Sequence, residues 1–152
     1  MTKILFVCHG NICRSPMAEF VMKHMVKEAG IDGQFEIASA GTSAEELGNP
    51  VYPPSRDKMR EHGIDSSGKF SRKLRRRDYE DYDYLIGMDS ANYRNMCIIF
   101  NGDPLRKISL LLDHAGEPRD ISDPWYTGGY EQTWQDVNLG CAALLKSIQA
   151  GK

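Results

Sequence analysis

The chain has 152 residues, 41% hydrophobic and 26% charged, with a formal net charge of −2, a balance that excludes disorder and fibrous architecture and gives no global pull toward nucleic acid. No run approaches the roughly 18 apolar residues of a membrane span, and four cysteines without a C-x-x-C pair predict neither a disulfide scaffold nor a zinc site. The expectation is one cytoplasmic domain over residues 1–152 with reduced thiols, monomeric, without metal or cofactor.

Lys3 to Val7 reads as a short buried strand that delivers the chain to Cys8. Ser15-Pro16 then signals a helix start, with serine as N-cap and proline at the first helical position. Met17, Phe20, Val21 and Met25 share one face, and Gly30 closes the helix. Phe35 to Ala40 reads as a second strand. Residues 42–54 form a loop of turn residues, and a short helix runs from Ser55 to His62. The basic run Lys69 to Arg77 and the acidic run Asp78 to Asp83 predict a solvated surface with internal ion pairs. Tyr79, Tyr82 and Tyr84 are read as packing residues. Tyr84 to Met88 is a third strand, and Asp89-Ser90 can cap a brief helix. A fourth strand lies between Arg106 and Leu112, then a long loop spans 115–129. Tyr130, Trp134, Val137, Cys141, Leu144 and Ile148 recur at helical spacing as one apolar stripe. Cys97 and Cys141 are read as structural. Strands alternating with helices imply an α/β fold, a parallel sheet with helices on both faces, whose ligands sit at the carboxyl ends of the strands.

The Cys8 loop follows the first strand, so it belongs at that end. Its residues, Cys8-His9-Gly10-Asn11-Ile12-Cys13-Arg14-Ser15, suit an anion cradle. A strand-to-helix loop can turn its N–H groups inward, and the next helix adds its positive dipole end. Arg14, expected at the rim, offers a planar fork for two phosphate oxygens. Gly10 and Asn11 suit the positive φ angles of a tight loop. Cysteines beside cations at helix N-termini are nucleophilic thiolates, so Cys8 is aimed at a bound phosphorus. A leaving oxygen needs a proton, and the long loop offers Asp113, His114, Glu117, Asp120 and Asp123. Chemistry alone does not choose among them, although Pro124 holds Asp123 extended.

Cys8-His9-Gly10-Asn11-Ile12-Cys13-Arg14-Ser15-Pro16, with Asp123-Pro124-Trp125-Tyr126, resembles the low-molecular-weight protein tyrosine phosphatases. Ser39-Ala40-Gly41-Thr42, His62-Gly63-Ile64, Met88-Asp89 and Gly140-Cys141 extend the resemblance over nearly the whole chain. The resemblance implies a four-stranded parallel sheet of flavodoxin-like, three-layer α/β/α architecture. It implies hydrolysis of phosphotyrosine in proteins, and of aryl phosphate esters, through a cysteinyl phosphate on Cys8 without metal. Inorganic phosphate is the product. By the same resemblance Arg14 clamps the phosphate and Asp123 is general acid, then base. Asn11, Ser15 and Ser39 form a hydrogen-bond network that supports the loop, and Cys13 traps oxidised Cys8 as a disulfide. Ile12, Trp125 and Tyr126 should wall the substrate cleft.

Two positions depart from the family pattern. Glu45, with Ala44 and Glu46, stands where members often carry an aromatic, which makes one wall acidic and suggests basic residues beside the phosphotyrosine. Lys69 stands where many members place a histidine that supports the loop. Three alternatives share the fold or the loop. An arginine phosphatase of the family tends to have threonine where Ile12 sits. An arsenate reductase needs further cysteines near the third strand, where only Cys97 lies. A non-catalytic phosphate-binding or thiol redox module has no use for Asp123-Pro124.

Overall fold

The computed structural model describes residues 1–151. Four parallel strands, β1 (Thr2–Cys8), β2 (Phe35–Gly41), β3 (Tyr84–Gly87) and β4 (Ile108–Leu110), lie in the order β2-β1-β3-β4. This is the expected three-layer α/β/α arrangement. β1 is central and covered on both faces, so Ile4, Leu5, Phe6 and Val7 are all fully buried. Its alternating residues divide the core in two. Ile4, Phe6 and Cys8 face a cluster with α1 (Arg14–Glu28) and α6 (Tyr130–Ala150). Leu5 and Val7 face the other, with α4 (Ser90–Phe100). Among the described residues no helix is long and apolar enough to cross a membrane.

The sequence expectations shift in detail. Ser15 is not the N-cap of α1: the helix begins at Arg14, the cap position is Cys13, and no side chain caps it. The Ser15 hydroxyl is turned into the Cys8 loop instead. The buried face of α1 is Met17, Ala18, Val21, Met22 and Val26, with Phe20 and Met25 at its flanks. α2 (Pro53–Arg60) starts two residues early, because Pro53 and Pro54 occupy a first turn whose N–H groups need no partner. The fourth strand is only three residues long, since Arg106 takes φ 51° before it and a 3₁₀ turn, Leu111–Ala115, follows it. Two short helices, α3 (Asp78–Asp81) and α5 (Pro124–Thr127), fall within stretches read as surface and loop. The α6 stripe is as expected: Val137, Cys141, Leu144 and Ile148 are buried, with Trp134 against the same core. Gly140 lets α6 meet the 3₁₀ turn, where a methyl group would collide with Leu111.

The charged runs are only partly solvated. Lys73, Arg75, Arg76 and Arg77 are exposed, and Arg77 pairs with Asp81 at 3.3 Å. Lys69 and Arg72, by contrast, turn inward, and Asp78 is buried under Arg72 at 3.0 Å. Tyr79 packs on Phe100 and donates to Asp103, as a packing residue should.

Candidate active site

The loop after β1 is held by its carbonyls. Thr42 N–H donates to Cys8 O, Ser43 N–H to His9 O, and Tyr52 N–H to Ile12 O, all at 2.9–3.0 Å. The hydroxyls of Ser71 and Ser55 donate to Gly10 O and Cys13 O at 2.8 and 3.0 Å. With the carbonyls drawn outward, the N–H groups of His9, Gly10, Ile12 and Cys13 meet no protein acceptor among the described residues. Unpartnered N–H groups along one loop are what an anion nest requires. Asn11 takes the positive φ, at 58°, and Gly10 does not. Gly10 instead makes room, because a Cβ there would lie 3.3 Å from Glu46. Gly41 permits the close approach of β2, since its Cβ would stand 2.8 Å from His9 O.

Beneath the loop runs a buried polar chain. Ser15 Oγ lies 2.9 Å from Cys8 Sγ, and Asn11 N–H points at the same sulfur from 3.3 Å. Asn11 Nδ2 donates to Ser15 Oγ at 2.8 Å and to Ser39 Oγ at 3.0 Å. Ser39 donates on to Glu19 at 2.6 Å. Lys69 Nζ closes the chain, 2.9 Å from Ser39 O and 3.3 Å from Glu19. Burial lowers the Lys69 pKa, and the Glu19 carboxylate opposes that fall. Glu19 escapes a sequence reading because, on helix spacing, it looks like an exposed residue beside Phe20. Its side chain is 5% exposed.

Arg14 is not at the rim: it is 2% exposed, in the buried part of the pocket lining. Nη1 donates to Asp89 at 2.7 Å and to Ile121 O at 2.8 Å. Nη2 lies 3.5 Å from Asp123 Oδ2. Burial alone would lower its pKa, but the charge of Cys8 and the bond and charge of Asp89 raise it. Asp89 was legible only as a helix cap, a role it also fills in a capping box with Asn92.

Asp123 is the N-cap of α5, accepting from Trp125 N–H at 3.0 Å through the oxygen turned away from Arg14. It reaches the pocket of Cys8 from the far end of the chain, whereas Asp113, His114, Glu117 and Asp120 are absent from that lining. The pocket holds about 120 Å³ and is lined by the Cys8–Arg14 loop apart from Asn11, by Glu45 and Glu46, and by Asp123, Trp125 and Tyr126. Ile12, Glu45, Trp125 and Tyr126 are all there, and Glu46 joins Glu45 on the acidic wall while Ala44 does not. The Trp125 ring leans on Tyr52 at 4.7 Å, a support that the sequence reading missed. His9 meets Glu45 at 3.1 Å at the mouth. Cys13 lines the pocket too. Burial pushes its thiol up to about 12, against a hydrogen bond with Tyr130 Oη at 3.7 Å. Cys141 is buried against Ala18 O, away from the site.

The family model of the low molecular weight phosphotyrosine protein phosphatases matches residues 3–152. The chain is 36% identical to the Bacillus subtilis low molecular weight protein-tyrosine-phosphatase YfkJ, over 100% of this chain and 99% of that one. The crystal structure of YfkJ superposes with a TM-score of 0.97, covering 100% of this chain and 97% of that one. A low molecular weight phosphotyrosine protein phosphatase of Schizosaccharomyces pombe is 39% identical over 84% of this chain and 85% of its own. A Drosophila arginine phosphatase is similar at 28% identity and TM-score 0.86, over 97% of this chain and 98% of its own. A motif set, a sheet order and a pocket found together, with a family match from residue 3 to the end, place the chain in the low molecular weight phosphotyrosine protein phosphatase family.

Proposed function

We propose that the protein hydrolyses phosphotyrosine in proteins, and aryl phosphate monoesters, with Cys8 as nucleophile, Arg14 as phosphate clamp and Asp123 as acid and then base. The observation that carries this reading is the meeting of three groups in one pocket: a thiol that accepts from Asn11 N–H and is hydrogen-bonded to Ser15, a buried guanidinium, and a carboxylate 3.5 Å from that guanidinium. The inward N–H groups of the loop bind the phosphate oxygens, and the Cys8 thiolate attacks phosphorus in line. The P–O bond to tyrosine breaks as Asp123 gives that oxygen its proton. Nη1 of Arg14 is spent on Asp89 and Ile121, which leaves Nη2 and Nε as the fork for the equatorial oxygens. In the second step Asp123 takes a proton from water, whose oxygen attacks the phosphocysteine. Inorganic phosphate forms and Cys8 departs as thiolate, stabilised by Ser15 and Asn11.

Ile12 on the pocket wall supports a tyrosyl substrate over an arginyl one, and Trp125 and Tyr126 offer faces to its ring. Glu45 and Glu46 favour basic residues beside the phosphotyrosine. Peptide arrays with flanking Lys or Arg test that preference, and no gain over neutral flanks removes it. Cys13 is the partner that protects Cys8. Peroxide converts the thiolate to a sulfenic acid, which condenses with the Cys13 thiol to a disulfide and water. The protein acts as a cytoplasmic monomer. The primary test is turnover of para-nitrophenyl phosphate without metal: Cys8→Ser should abolish it while phosphate still binds. Normal turnover in that variant overturns the mechanism.

A further inference from the structure

The segment that presents Asp123 is tied to two parts of the fold. On the sheet side, Ile121 N–H donates to Met88 O at 3.0 Å, and Asp120 accepts from the N–H and the hydroxyl of Ser90 at 3.1 and 3.0 Å. On the other side the segment stands off α6 over a recess of about 200 Å³, lined in part by Ser122, Thr133 and Asp136. One polar link crosses to α6. Arg119, four residues before Asp123, grips Asp136 with both guanidinium arms, Nη1 at 3.0 Å and Nη2 at 2.8 Å. Among the described residues no other hydrogen bond or ion pair joins residues 116–123 to that helix. Asp136 is 5% exposed, and its further partner is Gln132 at 3.0 Å. A carboxylate so placed needs a paired cation, and Arg119, itself 46% exposed, supplies it with two parallel bonds.

We propose that Arg119, clamped by the buried carboxylate of Asp136, is a positioning residue for Asp123 and sets how well that carboxylate reaches the leaving oxygen. The inference rests on the proposed role of Asp123 as general acid. Arg119 touches neither the pocket nor the reacting atoms. It fixes one end of the stretch whose middle, Ile121, gives its carbonyl to Arg14, and whose other end is the acid. Small errors in the placement of a proton donor weaken catalysis without weakening phosphate binding, because the nest is held from other segments and Arg14, which shares Ile121 O with this stretch, keeps Asp89 and Ile121 stays tied to Met88 O.

The test is leaving-group selectivity. In kcat/KM, phenyl phosphate needs the acid more than para-nitrophenyl phosphate does, since phenolate is the poorer leaving group. Arg119→Ala should lower kcat/KM for phenyl phosphate about fivefold more than for the nitrophenyl ester, with the inhibition constant of inorganic phosphate unchanged. Asp136→Asn should show the same bias, and the double variant should be no worse than Arg119→Ala. Arg119→Lys, which keeps the charge and one bond, should recover part of the selectivity, and it serves if the alanine variant folds poorly. Equal losses for the two esters, a weakened phosphate constant, or additive losses in the double variant would overturn the proposal. Asp123→Asn is the control arm. If it leaves the selectivity unchanged, the acid reading itself fails; if it shifts the selectivity and Arg119→Ala does not, only the role of Arg119 fails.

Discussion

The Cys8–Ser15 loop and the Asp123 segment face each other across one pocket, but they are held in different ways. In the loop, Asn11 and Ser15 are 1% and 0% exposed, and five carbonyls are bonded to donors from other segments. In the proposed acid's segment, Trp125 and Tyr126 are 49% and 82% exposed, and the carboxylate itself, 24% exposed, caps a one-turn helix. For the proposed hydrolysis the cradle must present fixed dipoles to a dianion, which favours a buried and fully bonded frame. In the same proposal the acid must meet a substrate ring that comes from solvent, which favours a more exposed segment on a few firm ties. Lesions in the loop should therefore cost stability and activity together, while lesions in the acid segment should cost activity with little loss of stability.

The largest effect expected tests the second half of that contrast. Asp123→Ala should lower kcat by about 10²–10⁴-fold, with inhibition by phosphate unchanged. Denaturant titration should show a loss of only about 1 kcal/mol, that of a helix cap. A loss of several kcal/mol would erase the contrast. Asn11→Ala tests the first half: it removes donors to Ser15 and Ser39 and puts a methyl residue at φ 58°, for a cost of about 2–4 kcal/mol. Its kcat should fall as well, because the Cys8 thiolate loses its fixed surroundings.

Lys69→Met asks how far the support extends. It leaves the buried Glu19 carboxylate with Ser39 and Lys23, at a cost of about 1–3 kcal/mol. Unchanged stability would mean that the chain of bonds ends at Ser39. Trp125→Ala should raise KM for aryl phosphates about three- to tenfold through the lost ring face, with the melting temperature nearly constant. The last effect is felt only at high pH. The Cys13 thiol is raised from 9.0 to about 12 in the folded protein, so its contribution is fully present below pH 9 and fades as pH rises toward 12. The fall of stability across that range should be shallower in Cys13→Ala than in the parent, measured by urea titration at each pH.

Much of this was legible before any fold was known. β1, α6 and the Cys8 loop follow from apolar runs, helical spacing and a strand-to-helix turn, all local signals. Glu19 and Asp89 were not legible as site residues, since one looks like a surface helix position and the other like a cap. Only the crossing of α1 past β2 sets Glu19 against Ser39, and only the β1–β3 pairing sets Asp89 against Arg14. Ser15 shows how one residue can signal two roles: its place suggests a cap, and the packed loop takes its hydroxyl for Cys8.

The sequence by itself determined where the proposed nucleophile, its cation and the loop between them lie, because those groups fall within eight consecutive residues and their geometry is a property of one turn. That Asp123 alone of the five candidates lines the pocket, that Arg14 is buried, and that Lys69 reaches Glu19 were decided by tertiary structure. Each joins groups tens of residues apart, and no local rule of spacing or propensity fixes which distant side chains a packed sheet will bring to one end.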